Sequence, residues 1–466
     1  MPYFHLPVED GKLFYELTPA KANPESAPTV LILHPTWSDS TTVRDWFIPG
    51  VGSEFFERYN LLTVDLRSCG RSETTPFRGI DNWTQAADLA LLLDHLHLPS
   101  IHLVTLATVG CPIALCFSIL FPSHLASLSV VHFAPIYDLR PSLETYLQLH
   151  VQWLQDDDPE AFYEVFEELS FLALGEASIK EEERDWVLNQ WVRRYCPARA
   201  LHVYECTIPI LSPTHIAPTL TRQIRTPILA LAGGSDLTCS VSVVEDLVAD
   251  LRTSSSEVEF HVIEGGPCML GVTHVEEVGP ILRAFLEKHA EPASAPSPAA
   301  FDFPAALAHL RSLFPSLVPP PSTPLSPRDS RSYSLSSLPN AALDAVWEKC
   351  QNLHGKGFSH RDDPHPLLRR PSLAPPLSAL PLTGEWQLET AVDGSDLSSY
   401  SASAPTSTRN TPPSTPLEEK GEGEEREYPF STLQRADSSE SAVSSMTADS
   451  GIESVAEKLE QVKVAA

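Results

Sequence analysis

The sequence predicts an α/β protein with a mostly parallel central sheet, followed by a long tail that lacks the pattern of a packed core. Two observations support this prediction. Short apolar runs alternate with longer amphipathic stretches through roughly the first 290 of the 466 residues, which is typical of strands covered by helices. After that point proline and serine become frequent and the alternation stops, so no further sheet is expected there.

The predicted strands are short and mostly apolar. They cover residues 12–17 after an Asp10-Gly11 turn, then 29–33, 60–65, 101–105, 125–133, 227–232 and 258–263. Strands without polar alternation need cover on both faces, which indicates a parallel sheet with helices on each side.

An insertion of about residues 137–222 separates the fifth and sixth of these strands. It has a helical, amphipathic pattern and carries aromatic residues that include Trp153, Phe166 and Trp191. Ligands of open α/β sheets bind at the carboxyl ends of the strands. We therefore expect the insertion to form a lid over that edge.

The domain predicted for residues 1–290 is followed by a Pro/Ser-rich region, 291–466, which we expect to be largely disordered. Three ranges within it could form short amphipathic helices: 305–314, 341–353 and 451–464. Each could bind a protein partner, fold back on the domain or form only transiently.

Charge and composition exclude several classes of function. The formal net charge of −29 repels phosphate backbones, so we expect no nucleic-acid partner. No apolar run approaches the ~20 residues of a membrane span, and the first residues lack the pattern of a signal peptide. The eight cysteines have no paired or CxxC spacing, which is typical of reduced, packed thiols. We therefore predict a cytoplasmic protein without a metal or cofactor.

Four segments together resemble the α/β-hydrolase superfamily over residues 1 to about 290. Residues 8–16 resemble its first hairpin, and His34-Pro35-Thr36-Trp37 stands where the family has His-Gly-x. Residues 65–72 resemble its Asp-x-Arg-Gly-x-Gly-x-Ser turn, and residues 101–122 its nucleophile strand, elbow and following helix. The resemblance implies the α/β-hydrolase fold and a Ser-His-Asp type of site at the sheet edge.

A shorter resemblance points to one branch of this superfamily. Pro35-Thr36-Trp37, followed by residues 46–50 (WFIPG), is similar to segments of homoserine O-acetyltransferase-like proteins. This resemblance implies acyl transfer rather than hydrolysis.

The nucleophile position departs from the family pattern Gly-x-Ser-x-Gly. The matching residues are Leu106-Ala107-Thr108-Val109-Gly110. Alignment from the helix side places Thr108 at the nucleophile, whereas alignment from the strand side gives Ala107. The family elbow has a positive φ, which is strained for a β-branched residue. Either the elbow has relaxed, or Thr108 is simply a residue in a turn.

The acid position is retained and the base position is not. Asp236 follows a core strand after Gly-Gly, where the family acid would orient the imidazole. Cys268 stands in register with the family histidine, in Gly265-Gly266-Pro267-Cys268. A thiol does not shuttle protons near neutrality as imidazole does, and the loop offers Cys268 no histidine or cation that would make it a nucleophile.

The resemblance implies that the backbone N–H groups of Thr36 and Val109 form the oxyanion hole. These donors do not depend on side chains, so a pocket for a small ester or acyl ligand can persist without turnover. Because triad members act as a unit, losing two of them removes nearly the whole ~10⁶-fold effect.

The sequence therefore favours a non-catalytic binding or regulatory protein with a degenerate triad. The alternatives are an ester hydrolase or acyltransferase that uses Thr108, and chemistry by positioning and oxyanion contacts alone. In the tail, Ser372 follows Arg369-Arg370-Pro371, a pattern of basophilic kinase sites, and Ser326 precedes a proline. Phosphates there would alter contacts with a partner.

Overall fold

A computed structural model describes the protein at residues 2–98, 100–133, 152–154, 159–175, 181–211, 216, 218–253, 257–290, 300–315, 326–336 and 341–355. All of them belong to the first of two compact units, Met1–Gln387. The second unit, Leu388–Ala466, lies outside the described residues, as do Ser372 and the helix predicted at 451–464.

Eight strands form one sheet with the order β1-β2-β4-β3-β5-β6-β7-β8. They are β1 (Tyr3–His5), β2 (Lys12–Thr18), β3 (Thr29–Leu33), β4 (Asn60–Val64), β5 (Ile101–Thr105), β6 (Leu125–Val130), β7 (Ile228–Gly233) and β8 (Val258–Ile263). The first two strands are antiparallel to their neighbours, and the remaining six are mutually parallel. The predicted mostly parallel sheet is confirmed.

Helices cover both faces because the central strands are apolar on both sides. Strands β3, β5 and β7 are buried along their whole length. Against one face pack Ser40–Thr42, a π-helical turn Val43–Phe47, Ile48–Val51, Glu54–Arg58, Leu270–Thr273 and Val275–Lys288. Against the other pack Asn82–His95 and Gly110–Leu120, and Val241–Arg252 contacts β7 and β8.

The predicted lid lies between β6 and β7. Its helices are Pro159–Leu174, Glu181–Arg194, Ala200–Leu211 and Pro218–Thr221. Trp153 and Trp191 pack edge-on against Trp37, with ring centroids 5.3 and 5.7 Å apart. Because Trp37 follows β3 at the carboxyl edge of the sheet, these contacts place the lid over that edge.

Helices lie in two of the three ranges of the Pro/Ser-rich region that could form them, at Phe303–Leu313 and Ala341–Leu353. Both pack on the domain. Phe301 stacks on His124 with ring centroids 3.6 Å apart, and Trp347 lies edge-on to Tyr204 of the lid at 4.9 Å.

The segment between these two helices is held by a buried carboxylate. Asp81 caps the helix Asn82–His95 by accepting from the Thr84 N–H. It also accepts from the backbone N–H groups of Leu335 at 2.7 Å and Ser336 at 3.1 Å. Residues 326–336 are therefore tied to the start of a core helix.

Within the described residues, none of the helices has both the length and the apolar character needed to span a bilayer.

Candidate active site

The turn after β5 has lost the geometry of a nucleophile elbow. Thr108 is not among the described residues with a positive φ, which include Trp37 and Ser68. Both possibilities that the sequence left open, a relaxed elbow and a residue in an ordinary turn, fit this backbone. A threonine is accommodated here because its backbone avoids the conformation that β-branched residues resist.

Packing explains the leucine that replaces the first elbow glycine. Leu106 is fully buried, and it lies against Gly271, where an added Cβ would be only 3.1 Å from the leucine side chain. Gly110 is retained because a Cβ there would come within 2.9 Å of the Thr105 side chain. The turn is thus fixed by close packing with the loop that follows β8.

Four successive strands each deliver one side chain to the same point. Thr108 follows β5, His132 follows β6, Asp236 follows β7 and Cys268 follows β8. The Cys268 Sγ lies 3.5 Å from the Thr108 Oγ1 and 3.5 Å from the His132 Nε2. The His132 Nδ1 lies 2.8 Å from the Asp236 Oδ2. The structure therefore contains an unbroken Thr-Cys-His-Asp series.

The charged forms of His132 and Asp236 stabilise each other. Burial disfavours the charged imidazole, but the Cys268 sulfur and the Asp236 carboxylate outweigh burial and raise the pKa of His132 well above its ordinary value. Burial likewise opposes ionisation of Asp236. His132 and the hydrogen bonds from Thr238 nevertheless hold the pKa of Asp236 below its ordinary value. The charged carboxylate of Asp236 thus stabilises the imidazolium that His132 becomes when it accepts a proton.

Hydrogen bonds fix Asp236 in place. One carboxylate oxygen accepts from the Thr238 N–H at 2.7 Å, the Thr238 hydroxyl at 2.8 Å and the Cys239 N–H at 3.2 Å. The other oxygen is left to His132. In the neutral tautomer that donates from Nδ1 to Asp236, Nε2 is an acceptor directed at Cys268.

Three of these four residues, Thr108, Asp236 and Cys268, stand at the triad positions predicted from the sequence, whereas His132 was not predicted. The loop of Cys268 has no histidine, and His132 comes from another strand. His132 closes the predicted strand 125–133, which neighbours the nucleophile strand β5 in the sheet. Because parallel strands end at a common edge, a histidine at that strand end was the available signal.

Cys268 separates His132 from a pocket under the lid. The pocket has an empty volume of about 380 Å³, which includes its open mouth. Thr36, Thr108 and Cys268 provide its polar side chains, and Trp37 and Trp191 its aromatic walls. The remaining lining residues are Pro35, Ala107, Leu169, Leu172, Ala173 and Met269. Among the described residues none of those lining the pocket is charged, so it suits an uncharged, largely apolar group.

The two predicted oxyanion donors are close together, but one of them is engaged. The Val109 N–H donates to the Thr36 Oγ1 at 3.1 Å. In this arrangement the Val109 N–H is directed at the Thr36 side chain rather than at a bound carbonyl.

A lid helix holds the loops beside the pocket. The Trp37 Nε1 lies 3.4 Å from the Thr207 hydroxyl of Ala200–Leu211. From the same helix, Glu205 accepts from the Ser68 hydroxyl and from the Phe77 N–H, the latter at 3.0 Å. Burial raises the pKa of Glu205 to about 7.

The donor atoms of His132, Asp236 and Cys268 all lie within 4.8 Å of one another, and nitrogen, oxygen and sulfur donors of this kind bind zinc. The contact between His132 and Asp236 has hydrogen-bond length. Asp236 lies on the Nδ1 side of the ring and Cys268 on the Nε2 side. The geometry therefore fits a hydrogen-bonded series better than three ligands around one ion.

The fold of this chain is similar to that of solved structures. An esterase from Exiguobacterium antarcticum superimposes with a TM-score of 0.51, at 16% identity over 62% of this chain and 100% of its own. This chain has the α/β-hydrolase fold. A carboxylesterase structure from the thaumarchaeon Nitrososphaera gargenis gives a TM-score of 0.51 at 15% identity, over 62% of this chain and 98% of its own.

A third α/β-hydrolase-fold structure is the enol-lactonase from Burkholderia xenovorans LB400. Its TM-score is 0.50 at 13% identity, over 61% of this chain and 100% of its own. Such identities show the fold alone, so function depends on the site. No protein-family model matches the sequence, and the comparison with curated proteins gives no match.

Proposed function

We propose that this chain is a thiol-dependent ester hydrolase or acyltransferase in which Cys268 is the nucleophile, His132 the general base and Asp236 the group that orients His132. One observation carries the proposal: Cys268 lines the pocket, and its sulfur lies 3.5 Å from the His132 Nε2. Nucleophilic catalysis needs a nucleophile, a base in reach and a third group that orients the base.

The reaction follows from these contacts. His132 accepts the Cys268 thiol proton at Nε2, and the thiolate forms a bond to the acyl carbon of an ester. The tetrahedral intermediate collapses when the ester C–O bond breaks, and the His132 imidazolium returns the proton to the departing alcohol. A thioester on Cys268 remains. Water or an acceptor alcohol, deprotonated by His132, attacks the thioester and regenerates the thiol.

The pocket supports an uncharged acyl group as substrate. Its walls are apolar and aromatic, and its few polar groups cluster at Cys268. The fold neighbours described as esterases and a lactonase act on carboxylic esters. The resemblance of Pro35-Thr36-Trp37 and residues 46–50 to homoserine O-acetyltransferase-like proteins supports testing acyl transfer as well as hydrolysis.

Thr108 as the nucleophile is less well supported. Its hydroxyl lies 3.5 Å from a sulfur, and the imidazole lies beyond that sulfur. A hydroxyl needs a base in direct reach for activation at neutral pH. Cys268 has that base and Thr108 does not have it directly.

A non-catalytic ligand-binding protein is the second candidate, and the engaged Val109 N–H favours it. A donor already bonded to the Thr36 hydroxyl gives less stabilisation to a developing oxyanion, while a small ester or acyl ligand can still bind in the pocket. In this reading the region beyond residue 355, with Ser372, would bind a regulatory protein partner.

Turnover of p-nitrophenyl acetate and the mass of the acylated protein test the proposal together. We expect wild type to turn over and to carry the acetyl group on the Cys268 peptide, and C268A to lose both. C116A is the matched control because Cys116 is also buried and does not line the pocket. An acetyl group on Thr108 would support the threonine alternative, and no turnover with retained ester binding would support the second candidate.

A further inference from the structure

We infer that the hydroxyl of Thr108, rather than the Val109 N–H, is the oxyanion donor for chemistry at Cys268. This inference rests on the proposed function, since it assigns a role within the same reaction. Thr108 is then a catalytic residue that touches the reacting oxygen, and not a degenerate nucleophile.

Distance supports this role. The Thr108 Oγ1 lies 3.5 Å from the Cys268 Sγ, and both residues line the pocket. When the sulfur bonds to an acyl carbon, the carbonyl oxygen comes to lie one bond further from the sulfur. A hydroxyl at this separation from the sulfur can reach that oxygen within the normal O–H···O range.

The backbone around Thr108 also supports its role as the oxyanion donor. In the family elbow, the N–H after the nucleophile supplies the oxyanion donor. Here Thr108 lacks a positive φ, and the Val109 N–H donates to the Thr36 hydroxyl at 3.1 Å. A different donor is needed at the Cys268 side of the pocket, and Thr108 is the hydroxyl closest to its sulfur among the contacts described.

The chemistry of the hydroxyl fits the change in charge during the reaction. A Thr108 hydroxyl donates only weakly to the neutral thiol, because sulfur is a poor acceptor. It donates strongly once the carbonyl oxygen carries negative charge. An interaction that strengthens in the transition state raises kcat rather than substrate affinity.

Two reactions of Cys268 separate this role from a structural one. Acylation by p-nitrophenyl acetate passes through an oxyanion, whereas alkylation by iodoacetamide needs the thiolate but forms no oxyanion. We expect Thr108→Val in the full chain to lower kcat for the ester about 100-fold, the usual effect of removing one such donor. KM and the rate of alkylation of Cys268 should stay within about threefold of wild type, because binding and thiolate formation do not use this donor.

Thr108→Ser is the matched variant because it keeps the hydroxyl, and it should retain at least about one third of wild-type kcat. The inference is wrong if wild type turns over and Thr108→Val keeps its kcat, or if Thr108→Val slows alkylation as much as acylation. Absence of turnover in wild type would instead defeat the proposed function and this inference with it. An intact melting transition for Thr108→Val shows that the fold is retained.

Discussion

The imidazole of His132 lies 2.8 Å from the carboxylate of Asp236, and the two residues come from the ends of adjacent parallel strands. In the family pattern, the histidine partner of this acid would come from the loop after β8. Here that loop provides Cys268, and the histidine comes from the opposite neighbour of β7. In the proposed mechanism the acid keeps its position, the nucleophile takes the place of the family base after β8, and the base comes from the end of β6.

Asp236→Asn tests whether the acid orients the base. Asparagine keeps the shape but loses the charge that supports imidazolium, so we expect ester turnover to fall by about 10²–10⁴-fold. The measurement is kcat/KM for p-nitrophenyl acetate. Asp246→Asn, at an exposed position on the helix Val241–Arg252, is the matched control and should retain wild-type turnover. Equal activity in both variants would show that Asp236 does not assist His132.

Arg67→Met tests a buried ion cluster behind the site. Arg67 forms ion pairs with Asp88 and Glu9, and the three side chains are 1%, 4% and 6% exposed. Removing the cation leaves the buried Asp88 carboxylate without this ion pair and Glu9 with only Arg331, 3.9 Å away. The free energy of unfolding should therefore fall by about 3–5 kcal/mol. The measurement is urea denaturation.

The exposed pair of Arg58 and Glu287 provides the control for this cluster. Arg58→Met should cost less than about 1 kcal/mol, because solvent screens the charges. If Arg67→Met and Arg58→Met lower the free energy of unfolding by similar amounts, burial does not strengthen the ion pairs of Arg67.

Truncation tests where the folded unit ends. A chain ending at residue 355 should melt like the full protein, since it keeps the contacts of Phe301 with His124 and of Leu335 with Asp81. A chain ending at residue 290 loses both and should melt about 10 °C lower or fail to fold, at about 2–4 °C per kcal/mol lost. Calorimetry measures the melting temperatures of the full protein and of the chains that end at residues 355 and 290. Identical melting would confine the folded unit to the first 290 residues.

Much of the fold follows from the sequence because apolar strands are a local signal. Strands β3, β5 and β8 have the predicted bounds, and so does the helix Ala341–Leu353. The site was less predictable. His132 meets Cys268 only through the spatial order of strands, which a sequence without pairing information does not contain. The packing of Leu106 could not be predicted from the sequence, because its partner Gly271 is 165 positions away in the chain.

Glu205→Gln tests the pH dependence of stability. Folding raises the pKa of Glu205 from 4.5 to about 7, so the folded protein holds this proton more tightly than the unfolded chain. The contribution of this group is most favourable below about pH 4.5, falls as the pH rises to about 7, and stays low above it. The full difference is about 3 kcal/mol, from 1.36 kcal/mol per unit.

Glutamine carries no proton to lose, so Glu205→Gln should gain stability relative to wild type between pH 5 and pH 8. Urea denaturation at both pH values measures this. Glu276→Gln, an exposed position, should show no such gain. If the free energy of unfolding of Glu205→Gln differs from that of wild type by the same amount at pH 5 and pH 8, the pKa of Glu205 is not raised by folding.

The most direct test of the account is the rate at which iodoacetamide alkylates Cys268, followed by peptide mass against pH in wild type and in His132→Gln. If His132 is the base, wild type should react at least about tenfold faster at pH 7, because the imidazole removes the thiol proton. The variant should approach the wild-type rate only at alkaline pH, where a thiol ionises without assistance. Equal rates across the whole range would mean that His132 does not activate Cys268, and the proposed thiol chemistry would be wrong.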